Sequence, residues 1–234
     1  AAKVDNGAVV KGDEVAPTST GAVDQTGDVT VQSVKALNLK QIQVVYSGAI
    51  NEDDVKETGN YTLEDEDGND MAIESVDLDG NVATINIDDT DIPENQDTYT
   101  LTIDETITGK DVEKDLTFVD TTLPKVLKAE VIGSDTIKVT FSEPVTTTTA
   151  EDTDNYEIND GDLYVQGVTL ANNNTEAKIK LYSDLNDEKE VNVKVKSDVQ
   201  DYAGFSVVSD ALTAPVVEDT EAPKVIGYED AKKG

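Results

Sequence analysis

One seven-residue pattern occurs twice in this sequence and divides it into blocks. Residues 120–126 read DTTLPKV, and residues 219–225 read DTEAPKV. The proline in each copy cannot donate to a strand ladder and has a fixed φ, so it suits the first residue of a strand or a stiff connector. Each copy is therefore predicted to be a seam that closes one block of strands and opens the next.

The blocks consist of short runs in which apolar and polar residues alternate, as they do in half-buried strands. The runs at 42–46 and 99–103 in the first block are matched, in the same order, by 137–141 and 191–195 in the second. In the last of these runs every inward position is Val and the outward positions are Asn and Lys, so one face is expected in a core and the other in solvent. The first block holds about seven such runs, which is typical of an all-β sandwich.

These patterns predict an all-β fold made of two tandem Ig-like antiparallel β-sandwich domains. We place the first sandwich at residues 29–120 and the second at 121–219, each of a size common for such domains. Residues 1–28 are small and polar without periodicity, so they are predicted to be a flexible linker or the end of a preceding module. Residues 220–234 are predicted to be a linker and the first strand of a truncated third module.

The composition excludes several kinds of chemistry. The chain has 50 Asp and Glu, 18 Lys and no Arg, His, Cys or Trp, which gives a formal charge of −32. Without His and Cys there is no Ser-His-Asp or Cys-His nucleophile and no usual zinc site, so we expect no enzyme. Such a polyanion is repelled by nucleic acid and by anionic membrane surfaces, and no apolar run is long enough for membrane insertion. It should instead attract divalent cations, and calcium, which prefers hard oxygen ligands, is the expected cofactor.

Three motifs together resemble those of a known family. They are the seam pattern, residues 139–145, which read VTFSEPV, and residues 201–204, which read DYAG. They resemble the repeating Ig-like modules of surface-layer (S-layer) proteins, which form the crystalline coat of Gram-positive bacilli. The resemblance runs from about residue 29 to the end and is stronger in the second block, because residues 46–50 of the first read YSGAI and lack the acidic position. Similar modules also occur as spacers in secreted bacterial adhesins and polysaccharide-active enzymes.

Four carboxylates are the candidate metal ligands. Asp120 belongs to the seam, Glu143 follows the second strand of the second sandwich, and Asp198 and Asp201 lie in its last hairpin. In an Ig-like topology these places meet at the end of the module where the chain enters, so the four side chains should lie near one another. Converging oxygens can bind calcium, and a bound ion would stiffen the hinge between the modules. The alternative is that Asp201 only caps a turn and that Glu143 is solvated.

Other acidic stretches carry weaker predictions. Residues 65–70 look like an EF-hand loop, but its glycine and its terminal glutamate are missing, so a charged hairpin tip is the better interpretation. Residues 88–91, with Glu94 and Asp97, could add ligands to the seam, although a solvated loop is favoured. A pair of carboxylates could hydrolyse a glycoside, but carboxylates are so abundant that no pair is informative, and no Trp is present to stack on a sugar.

The resemblance implies a secreted protein of the bacterial cell surface. We expect a structural component that assembles with copies of itself into a lattice, with any contact to cell-wall polymer made by regions outside this sequence. Calcium at the seams would convert a flexible monomer into a rod that is competent to assemble, because a bound ion fixes the module orientation and offsets charge repulsion. The alternative is an adhesin stalk, or a carbohydrate-binding or spacer module of a secreted protein.

Overall fold

The computed structural model describes residues 28–185 and 188–216 of the chain. This part is built almost entirely of antiparallel strands, which form four sheets. Each sandwich buries a hydrophobic cluster of its own, one centred on residues between 39 and 118 and the other on residues between 137 and 207. The predicted all-β class with tandem Ig-like sandwiches is confirmed. The predictions for residues 1–27 and 220–234 lie outside the described residues, and the exact domain boundaries stay predictions.

The first sandwich pairs two sheets in the orders β1-β2-β6-β5 and β4-β3-β7-β8. Its strands are β1 Thr30–Ala36, β2 Gln41–Ser47, β3 Tyr61–Glu64, β4 Asp70–Met71, β5 Ile73–Asp79, β6 Val82–Ile87, β7 Thr98–Ile103 and β8 Val112–Thr117. Of its two short helices, α1 Glu52–Lys56 crosses between the sheets, and α2 Glu105–Thr108 connects β7 with its neighbour β8 in one sheet. In β7 the alternation predicted from the sequence appears as a strict alternation of buried and half-buried side chains.

The second sandwich has sheets in the orders β12-β13-β10-β9 and β11-β14-β15. Its strands are β9 Val126–Val131, β10 Thr136–Phe141, β11 Tyr156–Ile158, β12 Val165–Ala171, β13 Glu176–Leu181, β14 Glu190–Val195 and β15 Asp210–Pro215, and its helix is α3 Thr147–Ala150. The sequence patterns missed β12 and β15. Gly167 interrupts the alternation of β12, and β15 ends on a proline, so pairing with neighbours rather than pattern decides both.

The chain changes sheets at residues 71–73. Met71 pairs with Leu63 in one sheet, whereas Ile73 pairs with Ile87 in the other. Between them, the backbone amide of Ala72 donates to the Asp91 carboxylate at 2.7 Å instead of joining a ladder. Met71, Ala72 and Ile73 are all apolar, so the residue types carry no sign of the break.

The two sandwiches share one local hydrogen-bonding motif, which lies just before the second sheet of each. A short helix is followed by an Asn-Tyr pair, and the tyrosine hydroxyl donates back to a helix carbonyl: Tyr61 to Val55 at 2.9 Å and Tyr156 to Ala150 at 2.6 Å. Both rings are about 95% buried, so each hydroxyl needs such a partner. The same Asn-Tyr pair in both sandwiches therefore has a structural cause. Among the described residues, no helix has the length and apolar character needed to cross a membrane.

Candidate metal centre

The last strand of the first sandwich delivers Asp120 to the seam. Phe118, just after β8, is fully buried and packs edge-to-face on Tyr99 with ring centroids 5.3 Å apart. Asn95 then clamps the Asp120 backbone: its side-chain oxygen accepts from the Asp120 amide at 3.1 Å, and its amide donates to the Asp120 carbonyl at 2.9 Å. Asp120 is only 3% exposed. Sequence reasoning missed Asn95, because a lone asparagine in an acidic loop gives no signal of its partner.

Glu143 reaches the same place from the end of β10. The seam strand holds the turn there, since the backbone amide of Lys125 donates to the Ser142 hydroxyl at 2.9 Å and the Ser142 amide donates to the Lys125 carbonyl at 2.9 Å. The Glu143 side chain is partly buried. It borders an open groove of about 380 Å³ that Thr122 also lines. Solvent therefore reaches the group on the side of Glu143.

Asp201 lies in the turn that follows β14, next to Val145. One of its carboxylate oxygens, Oδ1, accepts from the backbone amides of Ala203 at 2.9 Å and Phe205 at 2.8 Å. Its other oxygen, Oδ2, is buried and has no hydrogen-bond partner, although the residue is only 2% exposed. The turn-capping alternative is thus correct for one oxygen, and the second remains free for another ligand.

The structure brings three of the four predicted carboxylates together. One oxygen each from Asp120, Glu143 and Asp201 lies within 4.8 Å of the other two. Asp198 is outside this group, because it is an exposed residue at the tip of a turn beyond β14. The turn directs Asp201 inward and leaves Asp198 in solvent, a difference that proximity in sequence does not reveal.

The hydroxyl of Thr122 lies between two of these carboxylates. Thr122 Oγ1 lies 3.0 Å from Asp120 Oδ1 and 3.0 and 3.1 Å from the two Glu143 oxygens. A hydroxyl carries one proton, so it can donate to one of these oxygens at a time. Its lone pairs make it a further possible ligand for a cation. Sequence reasoning overlooked Thr122, although it lies within the seam pattern.

Without a cation, burial and mutual repulsion disfavour the charged forms of these carboxylates. Burial raises the pKa of Glu143 above its ordinary value, and the charges of Asp120 and Asp201 raise it further. Burial likewise raises the pKa of Asp201, and the charge of Asp120 adds to this effect. Both shifts mean that the folded state favours a proton, or another cation, at this place.

The donor set fits calcium. All candidate ligands are oxygens, three of them carboxylates, and calcium takes six to eight oxygen ligands in flexible geometry with water completing the shell. The buried, unpartnered Oδ2 of Asp201 is the atom that a cation would satisfy. The donors come from both sides of the seam, so an ion bound here would touch both sandwiches.

The other acidic stretches have different roles. Asp65 caps the hairpin tip at 65–69, where it accepts from the backbone amides of Asp67 and Asn69. Of the loop at 88–91, Asp88 caps a local turn and Asp89 contacts the second sandwich through hydrogen bonds. Neither stretch contributes to the carboxylate group described above.

Comparison with known proteins places these features in a family context. Residues 113–217 match the model of the bacterial Ig-like domain family. The chain is 30% identical over 210 residues to the surface-layer 125 kDa protein of Lysinibacillus sphaericus, and 29% identical over 200 residues to the outer cell wall protein of Brevibacillus brevis. Each alignment covers 86% of this chain but only 17% and 19% of the relative, so the chain spans less than a fifth of either protein.

Among solved structures, domains 1–6 of the surface-layer protein SbsC are similar to 86% of this chain and 27% of that one, with 13% identity and a TM-score of 0.43. The resemblance seen in the sequence motifs is confirmed by the sequence matches: over 86% of its length this chain is similar to a surface-layer protein and to an outer cell wall protein, and residues 113–217 match a bacterial Ig-like domain.

Proposed function

We propose that this chain is a structural segment of a bacterial surface layer, whose two sandwiches are stiffened by calcium at the seam between them. Its relatives are named as surface-layer and outer cell wall proteins, which supports a place at the cell surface and a part in a lattice of identical copies. The observation that carries the calcium proposal is the buried, unpartnered oxygen of Asp201 beside two further carboxylates from both sides of the seam.

The physical reason for calcium is the charge. A chain with a formal charge of −32 repels itself, and three carboxylates within a few ångströms concentrate that repulsion at the joint. A divalent cation with oxygen ligands offsets this cost and links the modules, and its binding free energy adds to their stability. Stiff joints let neighbouring copies meet at reproducible angles, which a periodic array requires.

Calorimetric titration with calcium tests the site. We expect one binding event in the unmodified chain, loss of this event in Asp120→Asn and Asp201→Asn, and its retention in the matched control Asp198→Asn, whose carboxylate is nearby in sequence but exposed. Absence of calcium uptake, or uptake that Asp120→Asn leaves unchanged, would refute the metal site.

Electron microscopy tests the lattice. Protein mixed with calcium should form sheet-like arrays that a chelator disperses. A protein that stays monomeric with calcium and binds glycan would instead support the adhesin or carbohydrate-binding alternative.

A further inference from the structure

A second set of contacts joins the two sandwiches, apart from the group of Asp120, Glu143 and Asp201. Its centre is Asp89, in the loop after β6 of the first sandwich. The Asp89 carboxylate accepts hydrogen bonds from three side chains of the second sandwich: Thr147 Oγ1 at 2.7 Å, Asn174 Nδ2 at 2.8 Å and the Tyr202 hydroxyl at 2.7 Å. Three donors, one from the start of α3 and two from separate turns, therefore converge on one charged acceptor.

A buried lysine holds Asp89 from the other side. Lys40 is 0% exposed, and its ammonium donates to Glu74 Oε2 at 2.9 Å, to the Ile87 carbonyl at 2.8 Å and to Asp89. It also lies 5.4 Å from the centroid of the Tyr202 ring. All three N–H groups of Lys40 are used, which a buried ammonium requires if its desolvation is to be offset. Asp89 is thus positioned within its own module before the second sandwich contacts it.

The turn that reaches across from the second sandwich is strained. Asn172, Asn173 and Asn174, between β12 and β13, have φ angles of 52°, 51° and 63°. Three consecutive residues in the left-handed region are costly for side chains other than glycine, although Asn tolerates it best. Two of the three amides are used across the seam: Asn173 donates to Asp77 at 2.6 Å and Asn174 to Asp89. Retained strain at a contact of this kind points to a positioning role.

We propose that these contacts, which we call the polar latch (Lys40, Asp77 and Asp89 with Asn173, Asn174 and Tyr202), fix the angle between the two sandwiches in the absence of any bound cation. The latch differs from the metal group in its charge balance. Asp89 in the latch is paired with the Lys40 ammonium, whereas the three carboxylates of the metal group receive hydrogen bonds from neutral donors, the Thr122 hydroxyl and backbone amides.

The lowered pKa of Asp89 agrees with a latch that persists without a bound cation. Burial by itself would raise the pKa of the Asp89 carboxyl, but the hydrogen bonds from the lysine and from the second sandwich outweigh it and lower the pKa to about 2. Asp89 therefore remains an acceptor at any ordinary pH.

The latch is also coupled to the metal group through one turn. Tyr202 directly follows Asp201, and Tyr202 and Ala203 pack against the core of the first sandwich. The latch thereby holds the turn that presents the free Asp201 oxygen. The metal-free protein then has its ligands already arranged, and calcium adds stiffness to an existing angle. This inference does not depend on the proposed calcium site.

Distance measurement between two spin labels tests the latch. The chain has no cysteine, so Glu66→Cys and Thr169→Cys place one label on an exposed position of each sandwich of the full chain. In chelator at about 0.15 M salt, the otherwise unmodified protein should show one narrow distance distribution. Adding Tyr202→Phe and Asn174→Asp removes two donors to Asp89, and we expect the population outside that peak to rise roughly tenfold.

Two further variants make the result decisive. Asn172→Asp is the matched control, because it makes the same Asn-to-Asp change in the same strained turn. The backbone carbonyl of Asn172 accepts hydrogen bonds from Thr175. This variant should therefore leave the distance distribution narrow. Tyr202→Phe alone keeps the ring and its packing, and it should broaden the distribution to a smaller extent.

The latch is overturned if the labelled protein is already broad in chelator, or if both latch variants keep the narrow distribution. If the double variant fails to fold, as judged by thermal unfolding, the single Tyr202→Phe variant decides between these outcomes. A failed calcium titration would remove the metal site and leave this result untouched, so the two proposals fail independently.

Discussion

At the scale of single residues, Asp201 illustrates how one side chain can serve two purposes. Its Oδ1 closes a local turn by accepting two backbone amides, and its Oδ2 is left buried without a partner. A buried, unpaired charged oxygen costs more than a lost hydrogen bond in water. A protein keeps such a group where something else compensates for it, and the neighbouring Asp120 and Glu143 carboxylates cannot do so.

We predict that Asp201→Asn makes the calcium-free protein more stable and abolishes its response to calcium. The Asn amide would replace a repelled oxygen and donate to Asp120 or Glu143, while its carbonyl keeps the turn, although as a weaker acceptor. The expected gain in the free energy of unfolding is about 1 kcal/mol. Denaturant unfolding in chelator and in calcium measures both effects.

The exposed Asp198→Asn variant is the control and should match the unmodified chain in both conditions. A calcium-free Asp201→Asn protein that is less stable than the unmodified chain would contradict this account of the carboxylate group.

At the scale of elements, local side-chain hydrogen bonds fix where strands begin. The short helix followed by Asn-Tyr appears in both sandwiches with the same hydroxyl-to-carbonyl bond, and the Asn in each pair also donates to a carbonyl of the preceding turn: Asn60 to Asp54 at 2.7 Å and Asn155 to Thr149 at 2.8 Å. These bonds satisfy carbonyls at the end of a helix that is too short to be stable alone. They thereby fix where the second sheet begins.

We expect Tyr156→Phe to lower the free energy of unfolding of the second sandwich by about 1 kcal/mol, because the Ala150 carbonyl loses its buried partner while the ring packing remains. Tyr164→Phe removes the hydroxyl of a ring that is 74% exposed and should have no effect. Thermal or denaturant unfolding of both variants checks this expectation, and equal stabilities would show that the bond contributes nothing net.

At the scale of the whole molecule, the two joints between the sandwiches differ in how they depend on protons. The metal group has carboxyls whose pKa values are raised, chiefly by burial, whereas Asp89 in the latch has a lowered pKa. A raised carboxyl pKa means that the folded state binds more protons than the unfolded state, so stability falls as pH rises through that range. A carboxyl whose pKa is lowered in the folded state contributes stability that is lost only as the pH falls through that folded-state pKa.

We therefore predict opposite pH dependence with and without calcium. In the calcium-free protein, lowering the pH from 7 to the range just above ordinary carboxyl pKa values should increase stability, because Glu143 and Asp201 take up protons. With saturating calcium the same change should decrease it, because protons compete with the ion. Denaturant unfolding at several pH values measures both slopes.

The variant that combines Glu143→Gln with Asp201→Asn should lose most of this difference. Parallel pH profiles with and without calcium in the unmodified chain would contradict the prediction.

The amino-acid sequence by itself determined the class and the tandem arrangement, because period-2 alternation and a repeated seam are local properties that side-chain burial enforces strand by strand. It also indicated that Asp120, Glu143 and Asp201 would meet, since Ig-like connectivity returns these chain positions to one end of a sandwich.

Only the tertiary structure decided the rest. It turned Asp198 into solvent, moved the chain between sheets at Ala72, and paired Asp89 both with Lys40 and with Asn174 of the other sandwich. These outcomes depend on the direction of individual side chains and on specific contacts between distant turns, which a pattern of residue types along the sequence does not define.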